Sequence, residues 1–320
     1  MPREGSPWAG FGAVYAKELA DHLTSMRMRV LEWLVVLTGL AAIYAAIQDA
    51  KSLTASDRFL FLHLFIQSRD PLPSFIALVG FLIPLVAIAL GFDAINSEFN
   101  RRTMSRVLAQ PLYRDALLMG KFAAGLSTLA ISLIALWLLV FGLGLVLLGV
   151  PPSTEEVFRA LGFLVVAIFY AGVWLSAAIL FSIMFRSAAT AAMCTIGLWL
   201  FLSILWPVLV PFVVQAFVPI DPMRLLLGIP DVTQIYWTQG LSRLSPNTLF
   251  MESVVALLDP TTRSLGPLFM SDLVGAVRGA ALPLQQSLLL IWPQLTGLIA
   301  GTLVLFVIGY VLFQRQEIRA

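Results

Sequence analysis

Residues 160–185 read ALGFLVVAIFYAGVWLSAAILFSIMF, a run of 26 residues without a charged side chain. A helix of about 20 apolar residues crosses the roughly 30 Å hydrocarbon core of a bilayer. A surface helix of a soluble protein would instead carry polar side chains along one face. The run therefore predicts a transmembrane helix, and similar runs elsewhere in the chain predict a polytopic helical membrane protein.

The composition of the whole chain agrees with this prediction. Of its 320 residues, 59% are hydrophobic and 12% are charged, whereas soluble domains carry about 25% charged residues. Mean hydropathy is +0.92, which excludes an ordinary soluble protein. A net charge of +2 gives no indication of nucleic acid binding. The single cysteine, Cys194, excludes a disulfide framework or a cysteine metal site within the chain.

The apolar runs predict an all-α fold with six transmembrane helices, preceded by an N-terminal amphipathic helix in residues 1–29. The predicted spans are residues 30–47, 74–95, 122–150, 160–185, 188–217 and 292–313. Seven apolar residues recur at helical spacing ahead of or at the start of the first span: Trp8, Phe11, Tyr15, Leu19, Leu23, Met26 and Val30. This stripe favours a helix lying in the membrane interface. The alternative is an ordinary start of the first span.

The basic residues of the short loops predict the orientation, because lysine and arginine are retained on the cytoplasmic side. With the N-terminus inside, twelve basic residues are cytoplasmic: Arg3, Lys17, Arg27, Arg29, Arg101, Arg102, Arg106, Arg114, Lys121, Arg186, Arg315 and Arg319. Four are outside: Lys51, Arg58, Arg69 and Arg159. Both termini are therefore predicted to be cytoplasmic, in the plasma (inner) membrane.

Two further segments are predicted on the outer side. Residues 59–66 form a mostly apolar run that is too short to span, which favours an interfacial helix. Residues 218–290 contain seven prolines between short apolar stretches and predict several short helices joined by turns. The predicted organisation is thus residues 1–29, residues 30–217 with a loop at 96–121, the extracytoplasmic segment 218–290, and residues 291–320 with the last span and a cytoplasmic tail.

Motifs for catalysis and nucleotide binding are missing from the sequence. It contains no HExxH or GxSxG motif and no GxxxxGK[ST] phosphate-binding loop, so the chain is not expected to be an enzyme or to hold a cofactor. An ion relay would need charged residues inside the spans. Glu32 and Asp93 lie close to span ends, which makes that alternative weak. We expect the energy for any transport to come from another subunit.

The loop between the second and third spans is the most informative segment. It is basic, and residues 102–108 predict a short helix with Met104, Val107 and Leu108 on one side, before a break at Pro111. Such a helix could dock in a groove of a partner protein. The alternative is that its charges only set topology and attract lipid headgroups.

This loop resembles that of the type-2 ATP-binding-cassette (ABC) permease family, in which an acidic residue, a basic cluster and a hydroxyl precede a Leu-x-x-Pro-x-x-Arg-x-x-x-x-x-Gly-Lys pattern. The matching positions are Glu98, Arg101, Arg102, Thr103, Leu108, Pro111, Arg114, Gly120 and Lys121. The resemblance extends to Lys17-Glu18-Leu19, the six spans and the tail at residues 313–318. It implies that the loop is a coupling helix for an ATPase subunit. The implied docking residues are Glu98, Phe99, Arg101, Arg102, Thr103, Arg106, Leu108, Pro111 and Arg114.

The resemblance also implies the partners. A separate cytoplasmic ATPase subunit would hold ATP and magnesium, and two permease protomers, identical or different, would pair across a central path. The outer segment is longer than the short hairpin of the simplest family members. In this respect the chain resembles the branch that contains the permease of the nitrous-oxide reductase maturation transporter.

Small residues and prolines suggest where helices pack and bend. Ala188, Ala192 and Gly197 in the fifth span, and Gly297 and Gly301 in the sixth, are candidates for a dimer face or for packing within one protomer. Pro84, Pro207 and Pro211 each remove a backbone hydrogen bond and are candidate hinges. Static kinks are the alternative.

The leading functional hypothesis is a dimeric permease, driven by the ATPase subunit, that exports or extracts a hydrophobic or amphipathic substrate. A second hypothesis is a non-transporting membrane anchor that transmits ATP-driven movement to an extracytoplasmic partner on residues 218–290. A third, a lipid-modifying enzyme, would need clustered polar residues near the interface, and the sequence shows no such cluster.

Overall fold

A computed structural model describes residues 10–50, 59–68, 73–100, 113–149, 151–219, 231–262, 265 and 281–316. Every regular element in these ranges is helical. The helices are Phe11–Thr24, Met26–Ala50, Leu60–Ile66, Phe75–Gly91, Asn96–Asn100, Arg114–Leu148, Thr154–Met184, Ala188–Leu200, a π-helix at Phe201–Leu205, Trp206–Phe217, Val232–Ser242, Pro246–Leu258 and Leu284–Arg315.

Six helices in the described part of the chain are long and apolar enough to cross a membrane, which confirms the predicted number. We call them spans one to six: Met26–Gln48, Phe75–Asn100, Arg114–Leu148, Thr154–Met184, Ala188–Phe217 and Leu284–Arg315. Spans three, four and six begin six to eight residues before the predicted spans do, because the more polar residues ahead of each apolar run are helical as well. Span four begins with a capping box formed by Ser153 and Glu156. This start lies in a polar stretch of the sequence, ahead of the apolar run.

Span four lies at the centre of the bundle and contacts spans two, three, five and six. Span two approaches it closely. A Cβ atom added at Gly91 would lie 2.7 Å from the Ala178 Cβ and 3.2 Å from the Leu175 carbonyl oxygen. Glycine is therefore required for this backbone approach, which fixes the spacing of the two central helices.

The predicted outer helix at residues 59–66 is observed as Leu60–Ile66, and it is enclosed by protein. Phe61, Leu62, Leu64 and Phe65 are all buried. Phe65 packs edge-on against Phe75 of span two, with ring centroids 5.4 Å apart. Neighbouring helices thus cover the apolar face that the sequence analysis assigned to the membrane interface.

The segment 218–290 contains two described helices, Val232–Ser242 and Pro246–Leu258, which we call the Val232 and Pro246 helices. The Pro246 helix packs against spans two, four and six. Its Phe250 is fully buried and stacks on Tyr170, near the middle of span four, with ring centroids 4.5 Å apart. The hydroxyl of Tyr170 donates to the Gly80 carbonyl oxygen of span two at 3.1 Å. This part of the segment therefore lies deep among the spans.

Proline positions coincide with irregular helix geometry in span five. The π-helix Phe201–Leu205 interrupts the span, and Pro207 follows it directly in the first turn of Trp206–Phe217. A π-helical turn accommodates the missing amide donor of a proline. Pro211 lies inside the same helix, and Pro84 lies inside span two. A further proline, Pro293, lies inside span six and is not among the predicted hinges.

Candidate functional site

The predicted docking residues fall on both flanks of the loop after span two. Glu98 and Phe99 lie in the short helix Asn96–Asn100, and Arg114 is the first residue of span three. Phe99 is half-buried and packs against the core. The remaining predicted docking residues lie outside the described residues: Arg101, Arg102, Thr103, Arg106, Leu108 and Pro111.

Lys121, Glu18 and Glu98 form a buried ionic group that we call the Lys121 cluster. The Lys121 Nζ lies 2.8 Å from Glu18 Oε1 and 2.7 Å from Glu98 Oε1. The side chains of Lys121, Glu18 and Glu98 are 5%, 12% and 15% exposed. These residues come from span three, the N-terminal helix Phe11–Thr24 and the end of span two. One ammonium group thus joins three separate elements next to the predicted docking loop.

The electrostatics of Glu18 follow from this arrangement. Burial of the carboxyl favours its neutral form, but the charges and hydrogen bonds of Lys121 and Lys17 outweigh burial and lower the pKa of Glu18. Burial also lowers the pKa of the nearby His22 imidazole, with the positive charges of Arg27 and Lys121 acting in the same direction. The cluster is therefore built around an ionised Glu18 carboxylate.

Close packing reinforces the ionic contact between the N-terminal helix and span three. A Cβ atom added at Gly120 would lie only 2.8 Å from Val14 Cγ1, and Val14 is the buried residue of the N-terminal helix. The Tyr15 hydroxyl donates to Ser127 Oγ at 3.0 Å. Gly120 next to Lys121 thus lets the two helices approach closely enough for the ion pair to form.

Span two is also held at this end by spans one and four. Arg27 of span one lies 2.9 Å from Asp93, which the sequence analysis considered for an ion relay. The Ser182 hydroxyl of span four accepts hydrogen bonds from the backbone amides of Ile95 and Asn96, at 3.0 and 3.2 Å. The backbone entering the docking loop is therefore fixed to the central helix.

The other flank of the loop is attached to the end of span six. Arg114 donates to the carbonyl oxygens of Gln314 and Gln316, at 3.3 and 3.1 Å. Asp115 accepts hydrogen bonds from the Tyr310 hydroxyl, at 3.1 Å, and from the Gln314 side chain. Sequence reasoning noted the tail but missed these contacts, because their partners are about 200 residues apart and no local pattern pairs them.

A second buried basic residue, Arg159, lies at the opposite end of the bundle and is 0% exposed. Its hydrogen-bond acceptors are the Glu155 carboxylate, the Ser287 hydroxyl and the carbonyl oxygens of Leu257 and Leu282. We call these residues the Arg159 cluster. It connects span four to span six, to the end of the Pro246 helix and to the chain that leads into span six.

The two predicted small-residue faces have different surroundings. A Cβ atom added at Gly197 of span five would meet nothing within 4 Å, while Ala188 and Ala192 are half-buried. In span six, a Cβ atom at Gly297 would lie 3.0 Å from Leu249, and one at Gly301 would lie 3.8 Å from Val173. Gly297 and Gly301 thus contact the same chain, whereas Gly197 faces open space.

Acidic, histidine and cysteine side chains do not form a group suited to a metal ion. Within the described ranges, no three or more of them come together as candidate ligands. The side chains of Lys121, Arg27 and Arg114 at this end are instead paired with carboxylates or backbone carbonyl oxygens. Together these contacts connect the N-terminal helix with spans one, two, three and six at this end of the bundle.

Comparison with known families and proteins gives a consistent result. A family model described as ABC-2 family transporter protein matches residues 12–318. The probable ABC transporter permease protein NosY of Stutzerimonas stutzeri is 28% identical over 235 residues, which cover 70% of this chain and 79% of that protein. The protein of the same name from Pseudomonas aeruginosa is 33% identical over 137 residues, covering 42% of this chain and 48% of that protein.

Proposed function

This chain belongs to the ABC-2 family of transporter proteins, and from that premise we propose that an ATPase subunit docks on the loop containing residues 98–114. The chain is a multi-pass transmembrane subunit of an ABC transporter, and ATP hydrolysis is the task of a separate subunit. ATP and magnesium act there. In the proposal, the loop and both termini are cytoplasmic and the membrane is the inner membrane.

The observation that carries the proposal is the attachment of both loop flanks to distant helices. Glu98 is joined through Lys121 to the N-terminal helix, and Arg114 is joined to the end of span six. A force applied to the loop would therefore reach the N-terminal helix and span six as well as spans two and three. A basic loop that served topology alone would not need these contacts.

The proposal includes pairing of two permease protomers through span five. In span five, only 11% of the 18-residue apolar stretch is buried within the protomer, whereas in span four the buried share is 83%. Gly197 presents a backbone surface without a neighbour, and small residues let helices of two chains approach closely. Span six has the same low burial, but its Gly297 and Gly301 are already used within the chain.

A hydrophobic or amphipathic substrate, exported or extracted from the membrane, fits the apolar surfaces of the spans. The competing proposal is an anchor that moves an extracytoplasmic partner. Such a partner would bind the Val232 helix, which has no buried residue and exposes Tyr236 and Trp237 by 57% and 55%.

The docking proposal is tested by reversing charges in the loop. The triple variant Arg101→Glu, Arg102→Glu and Arg106→Glu removes the basic surface of the predicted helix. The matched control, Lys51→Glu, Arg58→Glu and Arg69→Glu, makes the same change in charge on the predicted outer side. The tagged chain is purified in mild detergent from its native host, and copurifying proteins are quantified by mass spectrometry.

We expect an ATPase subunit to copurify with the unmodified chain and with the control variant, in the same amount for both. The loop variant should retain less than about a tenth of it, since each lost charged contact costs about 1 kcal/mol or more. Equal recovery from both triple variants would refute docking on this loop. Recovery of an outer-face protein alone would favour the anchor.

A further inference from the structure

A cavity of about 250 Å³ lies between spans one, two and three. Its walls are aliphatic side chains such as Val35, Val79 and Leu133, with two polar exceptions, Glu32 and Ser132. Ile131, which also lines it, is 45% exposed, so the cavity reaches the outer surface of the bundle. An apolar cavity of about 150 Å³ already holds a benzene molecule, so this one has room for part of an alkyl chain.

Glu32 is the unusual member of this lining. It lies five residues, or about 8 Å of helix rise, beyond Arg27, which pairs with Asp93 at the end of the bundle. Its contact in the structure is with the Ser132 hydroxyl, 3.3 Å from Glu32 Oε1. Among the described residues it has no lysine, arginine or histidine partner. A carboxylate among the apolar residues of a membrane span is rare and typical of a functional site.

We propose that this cavity binds an amphiphile with a cationic ammonium head and a hydrocarbon tail. Bilayer hydrocarbon can fill the apolar walls whatever the head group, so the walls give little selectivity. The Glu32 carboxylate does, because an ammonium group gives it a charge-assisted hydrogen bond that Ser132 alone cannot match. A neutral or anionic head group would leave the carboxylate without a counter-charge in an apolar environment.

The site is independent of the docking surface, because none of its lining residues belongs to the loop at residues 98–114. Binding is therefore measured on the purified chain alone, in phosphatidylcholine nanodiscs, without an ATPase subunit. A failure of the ATPase subunit to dock and a failure of the cavity to bind the amphiphile are then separate results. If the bound molecule is also the transported one, the site narrows the substrate class given above to cationic amphiphiles.

The test uses two photoactivatable probes with the same twelve-carbon chain and diazirine, one ending in a primary ammonium group and the other in a hydroxyl. Crosslinked peptides are identified by mass spectrometry. We expect the ammonium probe to label spans one and three saturably, and unlabelled dodecylammonium to compete with it. The hydroxyl probe should bind at least tenfold more weakly.

Two variants separate charge from shape. Glu32→Gln should lower the affinity for the ammonium probe at least tenfold and leave binding of the hydroxyl probe unchanged. Ala135→Phe, at the exposed edge of the cavity, should block it and abolish saturable labelling by both probes, while Ile134→Phe, also exposed but outside the lining, should not. Each variant must elute as a single symmetrical peak in size-exclusion chromatography, which shows that it is folded. Equal binding of the two probes, or unchanged affinity in Glu32→Gln, would overturn the proposal.

Discussion

Where the structure describes the chain, each end of the bundle buries one basic side chain, but the two side chains make different contacts. Lys121 has two carboxylate partners, each from another element. Among the described residues, Arg159 has one carboxylate partner, Glu155 of its own helix, and its other acceptors are neutral oxygens of neighbouring segments. A lysine ammonium is a compact point charge on a flexible stem, whereas the arginine fork directs several donors at fixed angles.

The difference suggests different mechanical roles. At the Arg159 end, several directional hydrogen bonds specify one arrangement of span four, span six and the Pro246 helix. At the Lys121 end, a point charge between two carboxylates tolerates small shifts of either partner, because the attraction depends weakly on angle. We therefore expect the Arg159 end to stay rigid and the Lys121 end to move with the docking loop.

The largest effect is expected from Arg159→Met. It leaves the carbonyl oxygens of Leu257 and Leu282 without their donor in a buried site and should cost about 3 kcal/mol of unfolding free energy. The measurement is unfolding of the purified chain in detergent. Arg243→Met is the control, because Arg243 is 34% exposed and also pairs with a carboxylate and a backbone carbonyl oxygen, those of Glu252 and Leu265; its loss should cost about 1 kcal/mol. Equal losses of unfolding free energy in the two variants would contradict a larger contribution from the buried Arg159.

Lys121→Met should cost less, about 2 kcal/mol, because Glu18 keeps Lys17 as a partner and Glu98 retains some contact with solvent. Its main effect should be local: faster hydrogen exchange of residues 11–24, measured by mass spectrometry. Lys17→Met, which removes a side chain that is 66% exposed, should leave this exchange unchanged. Adding Glu18→Gln and Glu98→Gln to Lys121→Met should recover part of the stability. A uniform increase of hydrogen exchange across the whole chain would contradict a local role for the Lys121 cluster.

A smaller effect, about 1 kcal/mol, is expected from Gly120→Ala, because the new Cβ overlaps Val14 and pushes the N-terminal helix away from span three. Hydrogen exchange of residues 11–24 should again increase. Gly197→Ala is the matched control and should not change the stability of the protomer, since its Cβ meets nothing. If Gly120→Ala also leaves the stability and the hydrogen exchange unchanged, the close approach at Gly120 does not hold the N-terminal helix against span three.

The smallest effect is a pH dependence confined to the Lys121 end. Because the pKa of Glu18 is lowered from 4.5, its ion pair stabilises the folded protein above pH 4.5 and is lost as the pH falls through the folded-state pKa. The stability difference between the unmodified chain and Lys121→Met should therefore shrink in acid. The difference for Arg159→Met should shrink less, because most of its acceptors do not titrate. Parallel pH profiles would contradict the comparison.

Local patterns predicted the helices well and their neighbours poorly. The apolar runs gave six spans because hydrophobic length is a property of consecutive residues. The helix at residues 60–66 was also anticipated, but not its enclosure by Phe75 and other core residues, since an apolar face has the same appearance against lipid and against protein. The depth of the Pro246 helix could not be predicted either, because the partners of its Phe250, Gly80 and Tyr170, lie far away in sequence.

The sequence by itself determined the membrane class, the number of spans and the family resemblance of the loop after span two. The tertiary structure decided which charges meet: Lys121 with Glu18 and Glu98, Arg114 with the end of span six, and Arg159 with the Pro246 helix. The physical reason is range. Hydrophobic length and loop charge act locally along the chain, whereas ion pairs and buried hydrogen bonds depend on how distant helices pack against one another.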